Sequence, residues 1–326
     1  MRWTSFLWGL AAVAGVPVLL GGYAYAAEAL LARLGARARG ACRPWLWLAP
    51  AFLLLGGLLV YPVLRTLALS LMDASSSRFV GLENYRHLFT DPNLRVVLRN
   101  NLGWMLVFPP MAALSGLAIA VLADRAPGEK VLKSAIFMPS AISFAVAGII
   151  WRFMYQFQPA TMPQVGTLNA FLHWVKPSFQ PRAWLFETSL NNGALMAGVV
   201  WLQAGYAMVL FSASLRSIPG SLLEAARLEG ASEVQIFFRV VLPLMKSTVV
   251  VVLTTYIMAA LKIFDFVYVM TSGALGTEVM GDRMYKEMFI FNHFGRASTL
   301  AVVMLAAVLP ILVMNLRRFG RKAGNP

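Results

Sequence analysis

GALMAGVVWLQAGYAMVLFSASLRSIPGSLLEAARLEGASEVQIFFRVVLPLM, Gly193–Met245, is the stretch that decides how this chain folds. Up to Leu215 it holds no charged residue, and about 20 apolar residues are what a helix needs to cross the hydrocarbon of a bilayer. A helix pairs its backbone polar groups internally, so it is the form such a run takes in lipid. From Arg216 the character changes: Glu224, Arg227, Glu229, Glu233 and Arg239 follow within a short distance, and this part belongs in water. Pro219-Gly220 reads as a turn, Ser221 as an N-cap, and Glu224 three residues on as its capping-box partner. The helix so begun is expected to run to Gly230, because glycine permits the left-handed backbone that closes a helix. A second short helix follows. Its apolar residues Val234, Phe237, Phe238 and Val241 recur at i, i+3, i+4 and i+7, which predicts one apolar face in need of a partner or a bilayer surface.

Working outward, the same alternation recurs along the chain. Of 326 residues, 59% are hydrophobic and 13% charged, and the mean hydropathy is +0.68; a soluble globular domain is excluded. Apolar runs at 5–30, 45–71, 101–123, 132–155, 193–215, 240–270 and 298–316 predict an all-α membrane protein, a polytopic bundle of about seven transmembrane helices. The formal charge of +14 does not point to nucleic acid, because the basic residues fall in short runs between apolar stretches. The loops at 32–44, 124–131, 216–239 and 317–326 are the densest in them: Arg33, Arg37, Arg39, Arg43, Arg125, Lys130, Arg216, Arg227, Arg239, Arg317, Arg318, Arg321 and Lys322. Their positive charge predicts that these alternate loops are cytoplasmic, with the amino terminus outside and the carboxyl terminus inside. Ala24-Tyr25-Ala26 also resembles a signal-peptide cleavage site, but cleavage would invert every later span and export the most basic loops, so the first helix is expected to remain. Cys42 has no second cysteine to pair with, and His87, His173 and His293 are scattered in connecting segments; neither a disulfide framework nor a metal centre is expected. The chain has no GxxxxGK[ST] phosphate loop. No paired carboxylates, serine–lysine dyad or histidine cluster falls at one depth, so no catalytic residues and no cofactor of its own are expected.

The pattern formed by Glu224, Ala225, Ala226, Gly230, Val240, Leu242 and Pro243 resembles the signature loop of ABC importer permeases. Four further stretches resemble the carbohydrate branch of that family, the maltose and α-glucoside type. They are FVGLENYRHLFTDP at 79–92, LKSAIFMPSAISFAVAGIIWRFMY at 132–155, WLQAGYAMVLFSASLRSIP at 201–219 and LKIFDFVYVMTSG at 261–273. Members commonly continue the last with a glycine and a proline, where this chain has Ala274-Leu275. The resemblance covers 45–326 and leaves 1–44 as an extra amino-terminal helix with its basic loop. It implies that 217–243 is a cytoplasmic coupling-helix loop docking into an ATPase subunit, with Glu224 as its polar anchor. It also implies a prokaryotic inner-membrane complex of this chain, a second related permease, two ATPase subunits that hold ATP and magnesium, and an extracytoplasmic sugar-binding protein. The cargo would be a small sugar such as maltose, trehalose or sucrose, with a glycerol phosphate ester or another small polar solute as the alternative. An ion-coupled secondary transporter would share the spans but has no use for such a loop.

Sugars are held by planar amides, carboxylates and hydroxyls and by aromatic faces. Gln203 and Tyr206 on the fifth span and Thr254, Tyr256 and Asp265 on the sixth are the candidates for the pathway, with Tyr268 farther out. Polar residues in a bundle also serve as glue between helices, and both readings stand for each. Lys262 and Asp265, at i and i+3, either pair on one helix face or line the path. Pro139 is expected to kink the fourth span, and Lys246, Arg65 and Arg152 to act as interface anchors.

Overall fold

The computed structural model describes residues 2–124 and 126–323, with side chains for 15–124 and 126–315. Arg125 and the side chains of Arg317, Arg318, Arg321 and Lys322 thus lie outside the described residues. The chain separates into two compact units, Met1–Thr66 and Leu67–Pro326.

In the first unit α1 (Arg2–Ala32) and α2 (Ala36–Leu55) are joined by a tight turn. The basic stretch expected to be a loop at 32–44 is therefore mostly helical, and Arg37, Arg39 and Arg43 lie on α2. The reason is that Arg39 completes α1: its Nε donates to the Leu31 carbonyl at 2.9 Å and its Nη2 to Ala32 at 2.9 Å, satisfying carbonyls a helix end leaves open. Arg43 pairs with Glu28 at 2.9 Å. After α2 the helix continues through a π turn, Gly56–Val60, into α3 (Tyr61–Ser70). The turn lies just ahead of Pro62, which lacks an N–H and whose ring crowds the carbonyl four residues back.

In the second unit α4 (Glu83–Thr90) is tied down by Asn84, whose amide donates to the carbonyls of Ser70 at 3.0 Å and Met72 at 2.7 Å. Asp91 caps the long α5 (Pro92–Ala123), accepting from the Asn93 N–H at 2.8 Å. Then come α6 (Glu129–Phe137), α7 (Phe144–Met154), α8 (Thr167–Val175), α9 (Asn191–Arg216), α10 (Gly220–Leu228), α11 (Glu233–Ile236) and α12 (Leu242–Leu244). α13 (Lys246–Leu261), α14 (Asp265–Thr271), α15 (Met280–Phe289) and α16 (Phe294–Ala323) complete the order. The core lies where α5, α9 and α13 meet, around the buried side chains of Trp104, Phe108, Leu202, Met208, Phe211 and Tyr256. Small residues let the backbones approach there: a Cβ on Gly116 of α5 would stand 2.4 Å from that of Ala207 on α9.

Among the described residues, five helices are long and apolar enough to cross a membrane: Gly15–Ala32, Ala36–Ser70, Pro92–Ala123, Asn191–Arg216 and Phe294–Asn315. Two bent pairs, Glu129–Ala141 with Phe144–Met154 at 103° and Glu233–Leu244 with Lys246–Leu261 at 69°, raise the number to seven. The fourth span is thus broken where a kinked helix was expected, and the sixth where a continuous one was. At the fourth, Pro139 sits in a 3-10 turn, Met138–Ala141, and Ser143 caps the new helix by accepting from the Val146 N–H at 3.3 Å. Chain reversal by a fresh cap makes a corner there rather than a kink.

The sixth span breaks again between Leu261 and Asp265; of two buried asparagines that hydropathy had hidden, Asn101 holds that break and Asn100 holds the turn after α14. Asn101 donates to the Leu261 carbonyl at 3.1 Å and accepts from the Met280 N–H at 2.6 Å; Asn100 donates to the carbonyls of Gly276 at 2.6 Å and Glu278 at 2.8 Å. Asn101→Leu leaves a buried carbonyl and N–H unpaired, a loss of about 1–3 kcal/mol, and is expected to lower the unfolding temperature in detergent; an unchanged midpoint would contradict the clamp. Farther along, α15 carries buried charges: Asp282 lies 2.9 Å from Lys286, and Glu287 2.7 Å from Arg283. Burial pushes the Asp282 carboxyl above its usual range, and the Lys286 ammonium opposes the rise.

Candidate functional site

The polar helix pair α10–α11 sits at the end of α9 where α5 also ends. Arg216, the last residue of α9, pairs with Glu129 and lies 3.9 Å from Asp124, while Lys133 pairs with Asp124 and reaches Glu129 at 2.6 Å. The loops at 124–131 and 216–239, both expected on one side from their charge, are thus joined by ion pairs. Between them lies a cavity of about 230 Å³ lined by Asp124, Leu215, Leu223, Ile236 and Val241 among others.

The first helix starts two residues earlier than expected, its N-cap being Pro219 rather than Ser221. α10 begins at Gly220 after Pro219, with no side-chain cap, so Ser221 and Glu224 lie inside the helix and form no capping box. The box occurs instead at the start of α11, where Ser232 accepts from the Gln235 N–H at 3.3 Å and Gln235 accepts from the Ser232 N–H at 2.9 Å. Gly230 does close α10 in the left-handed conformation, at φ +82°. The Ala231 N–H donates to Ala226 at 3.1 Å and the Gly230 N–H to Arg227 at 3.0 Å, the paired bonds of a Schellman closure. Arg227 then reaches forward to Glu233 at 2.7 Å, latching α10 to α11.

The closure turns one side of α10 inward, where Leu223 and Ala226 pack against the core, and leaves Leu222, Glu224, Ala225 and Leu228 exposed, Leu228 by 90%. On the second helix the expected stripe is only half realised. Val241 is buried and Phe237 packs on the core, but Val234 and Phe238 are 66% and 60% exposed. A π turn, Phe237–Val241, accounts for the slip: its wider repeat stacks Val241 over Ile236, and Pro243 four residues after Arg239 explains why the ladder widens here. Leu242 and Pro243 open the short α12.

The candidate pathway residues divide by depth. Thr254 is buried and its hydroxyl donates to the Val250 carbonyl of its own helix at 2.8 Å. Tyr256, also buried, donates to the Gln203 carbonyl at 2.7 Å and stacks its ring near Phe108 and Tyr206. The Gln203 side chain is half-buried and Tyr206 is 39% exposed. Lys262 and Asp265 do not share a helix face: α13 ends at Leu261 and α14 begins at Asp265, both side chains are exposed, and no ion pair joins them among the described residues.

Residues 112–319 match the family described as binding-protein-dependent transport system inner membrane component. The chain is 45% identical over 274 residues to the osmoprotective compounds uptake permease protein GgtC of Synechocystis sp., covering 84% of this chain and 98% of that one. It is 41% identical over 290 residues to the alpha-glucoside transport system permease protein AglF of Rhizobium meliloti, covering 89% and 86%. Its fold is that of a chain of a bacterial ABC transporter involved in the import of the acidic polysaccharide alginate, at a TM-score of 0.70 and 21% identity over 86% of this chain and 99% of that one. The chain belongs to the family of binding-protein-dependent transport system inner membrane components, a membrane-embedded permease subunit.

Proposed function

We propose that this chain lines the translocation path of an ATP-driven importer for a small polyhydroxylated solute, an α-glucoside such as maltose, trehalose or sucrose. The observation that carries the reading is the exposed Glu224–Ala225–Leu228 side of α10, held rigidly by the Schellman closure and the Arg227–Glu233 latch against the ends of α5 and α9. Such a ridge, small and apolar around one carboxylate, suits the cleft of a partner ATPase subunit. The cargo class rests on the α-glucoside relative, and the osmoprotectant permease fits a compact, uncharged polyol.

In this reading the ridge is cytoplasmic, the amino terminus lies outside and the carboxyl terminus inside. Two ATPase subunits supply ATP and magnesium, a second permease completes the path, and a sugar-binding protein delivers cargo from outside; the solved alginate transporter is in complex with a ligand-bound periplasmic protein. Closure of the ATPase pair moves α10, and the ion pairs of Arg216 pass that movement to α6 and α9. Gln203, Tyr206 and Asp265, whose side chains are not consumed in the core, are the path residues best placed to meet sugar hydroxyls. Uptake of radiolabelled α-glucosides by vesicles holding the complete transporter tests the reading: saturable, ATP-dependent uptake is expected, and Gln203→Ala with Tyr206→Ala is expected to reduce it several-fold. Uptake driven by an ion gradient without the ATPase subunits would reject the reading, and unchanged uptake and preference in the double variant would reject those two residues.

A further inference from the structure

A second, larger cavity of about 690 Å³ lies at the opposite end of the bent fourth span from α6, between the end of α7, the segment before α9 and the turn after α14. Its walls combine aromatic rings with polar side chains: Phe153, Phe157 and Phe186 stand exposed around Arg152, Gln156 and Ser272. Arg152 is the one charged group lining it, and among the described residues it has no acidic partner, only a long contact of 3.4 Å from Nη1 to the Val269 carbonyl. Most of its donors are therefore open to a ligand. Tyr155 is buried and spends its hydroxyl on the Ala194 carbonyl at 3.0 Å, so that wall is fixed.

The facing wall is preset as well. Ser272 and Leu275 hold left-handed backbone at φ 50° and 54°, which residues with side chains adopt rarely and chiefly where the surroundings impose it. Here Asn191 donates to the Leu275 carbonyl at 2.8 Å, Asn100 to Gly276 at 2.6 Å, and the hydroxyls of Thr271 and Thr277 share a bond of 2.7 Å. The turn that forms this wall of the open aromatic cavity is thus fixed by its neighbours.

We propose that this cavity is a holding site for a neutral sugar, in which a pyranoside ring lies on Phe157 and Phe186 while Arg152 and Gln156 donate to its hydroxyls. The inference rests on the sugar-importer reading and deepens it: cargo would wait here before reaching Gln203, Tyr206 and Asp265. A size of several hundred cubic ångströms suits a mono- or disaccharide, and rings beside planar donors match its apolar faces and hydroxyl edges. A phosphate or carboxylate ligand would call for more than one cation.

The test uses the complete transporter in lipid without its binding protein, with Cys42→Ser removing the single native thiol and Phe153→Cys as reporter. Trehalose at about twice its dissociation constant is expected to slow maleimide labelling roughly threefold, by simple occupancy. Arg152→Gln is expected to abolish that protection, and Glu224→Lys, which acts on coupling alone, to leave it. As a measurement without the reporter, ligand-observed NMR on the otherwise native complex should show saturation transfer to the sugar ring protons that Arg152→Gln removes. Uptake of a sugar that gives neither protection nor saturation transfer would overturn the site and leave the importer reading standing. Absence of uptake and of protection with every sugar would overturn both, and protection by anionic lipid but not by sugar would overturn the site.

Discussion

Glu224→Lys is expected to abolish uptake while leaving the chain inserted in the membrane. The side chain is exposed on α10, and among the described residues it makes no hydrogen bond or ion pair. Lysine and glutamate have nearly equal helix propensity, and surface substitutions of this kind move stability within about 0.5 kcal/mol. Within the chain Glu224 acts only through the field it exerts on exposed Arg227, so the loss is expected to come mainly from a contact outside the chain. Reversing a charge that is desolvated against a partner typically costs about 2–5 kcal/mol, and with tenfold for every 1.4 kcal/mol uptake should drop by well over tenfold. Vesicle uptake, with co-purification of the ATPase subunit as the second readout, checks it. Normal uptake by the variant would remove Glu224 from the coupling role.

Gly116→Val is expected to have a large effect on folding. An added Cβ at Gly116 meets Ala207 Cβ at 2.4 Å, the Met208 backbone nitrogen at 2.8 Å and the Ala204 carbonyl at 2.9 Å. Two of these obstacles are helix backbone, which does not swing aside as a side-chain tip does. Overpacking a core costs typically 1–3 kcal/mol, and at a contact between two spanning helices the upper part of that range, about 3 kcal/mol, is expected. The yield of folded chain in detergent and its unfolding midpoint should both fall. Gly103→Val on the same helix, where a Cβ meets nothing within 4 Å, is the control that should keep both near the wild-type values. Equal behaviour of the two variants would contradict the α5–α9 packing.

Much of this arrangement is legible in the sequence because lipid imposes a simple rule. Apolar runs of spanning length locate the spans, and dense arginine in alternate loops pairs the ends that Arg216, Glu129 and Asp124 bring together. Gly230 is readable as a helix closure because only a left-handed residue fits there, and its φ of +82° agrees. The misreadings have local causes. Hydropathy does not register breaks, so the 103° corner after Phe137 and the gap from Lys262 to Phe264 look like continuous apolar helix. Their determinants are a proline, a serine cap and Asn101, which comes from a distant position in the chain. Capping chemistry was available twice in one loop, at Ser221–Glu224 and at Ser232–Gln235, and the turn at Pro219 decided between them by starting α10 at Gly220. A fixed 3.6-residue repeat also misplaced Val234 and Phe238, because the π turn before Pro243 changes the repeat. The larger cavity was hidden for a related reason: α7, α14 and the segment around Phe186 that line it are far apart in the sequence.

The most direct test is ATP hydrolysis by the complete transporter reconstituted in lipid with its loaded binding protein, comparing maltose, trehalose, sucrose and a glycerol phosphate ester, with the Glu224→Lys complex alongside. Stimulation by an α-glucoside that disappears in Glu224→Lys is the predicted result. Hydrolysis indifferent to every sugar, or stimulation that persists undiminished in Glu224→Lys, would contradict a sugar importer coupled through α10.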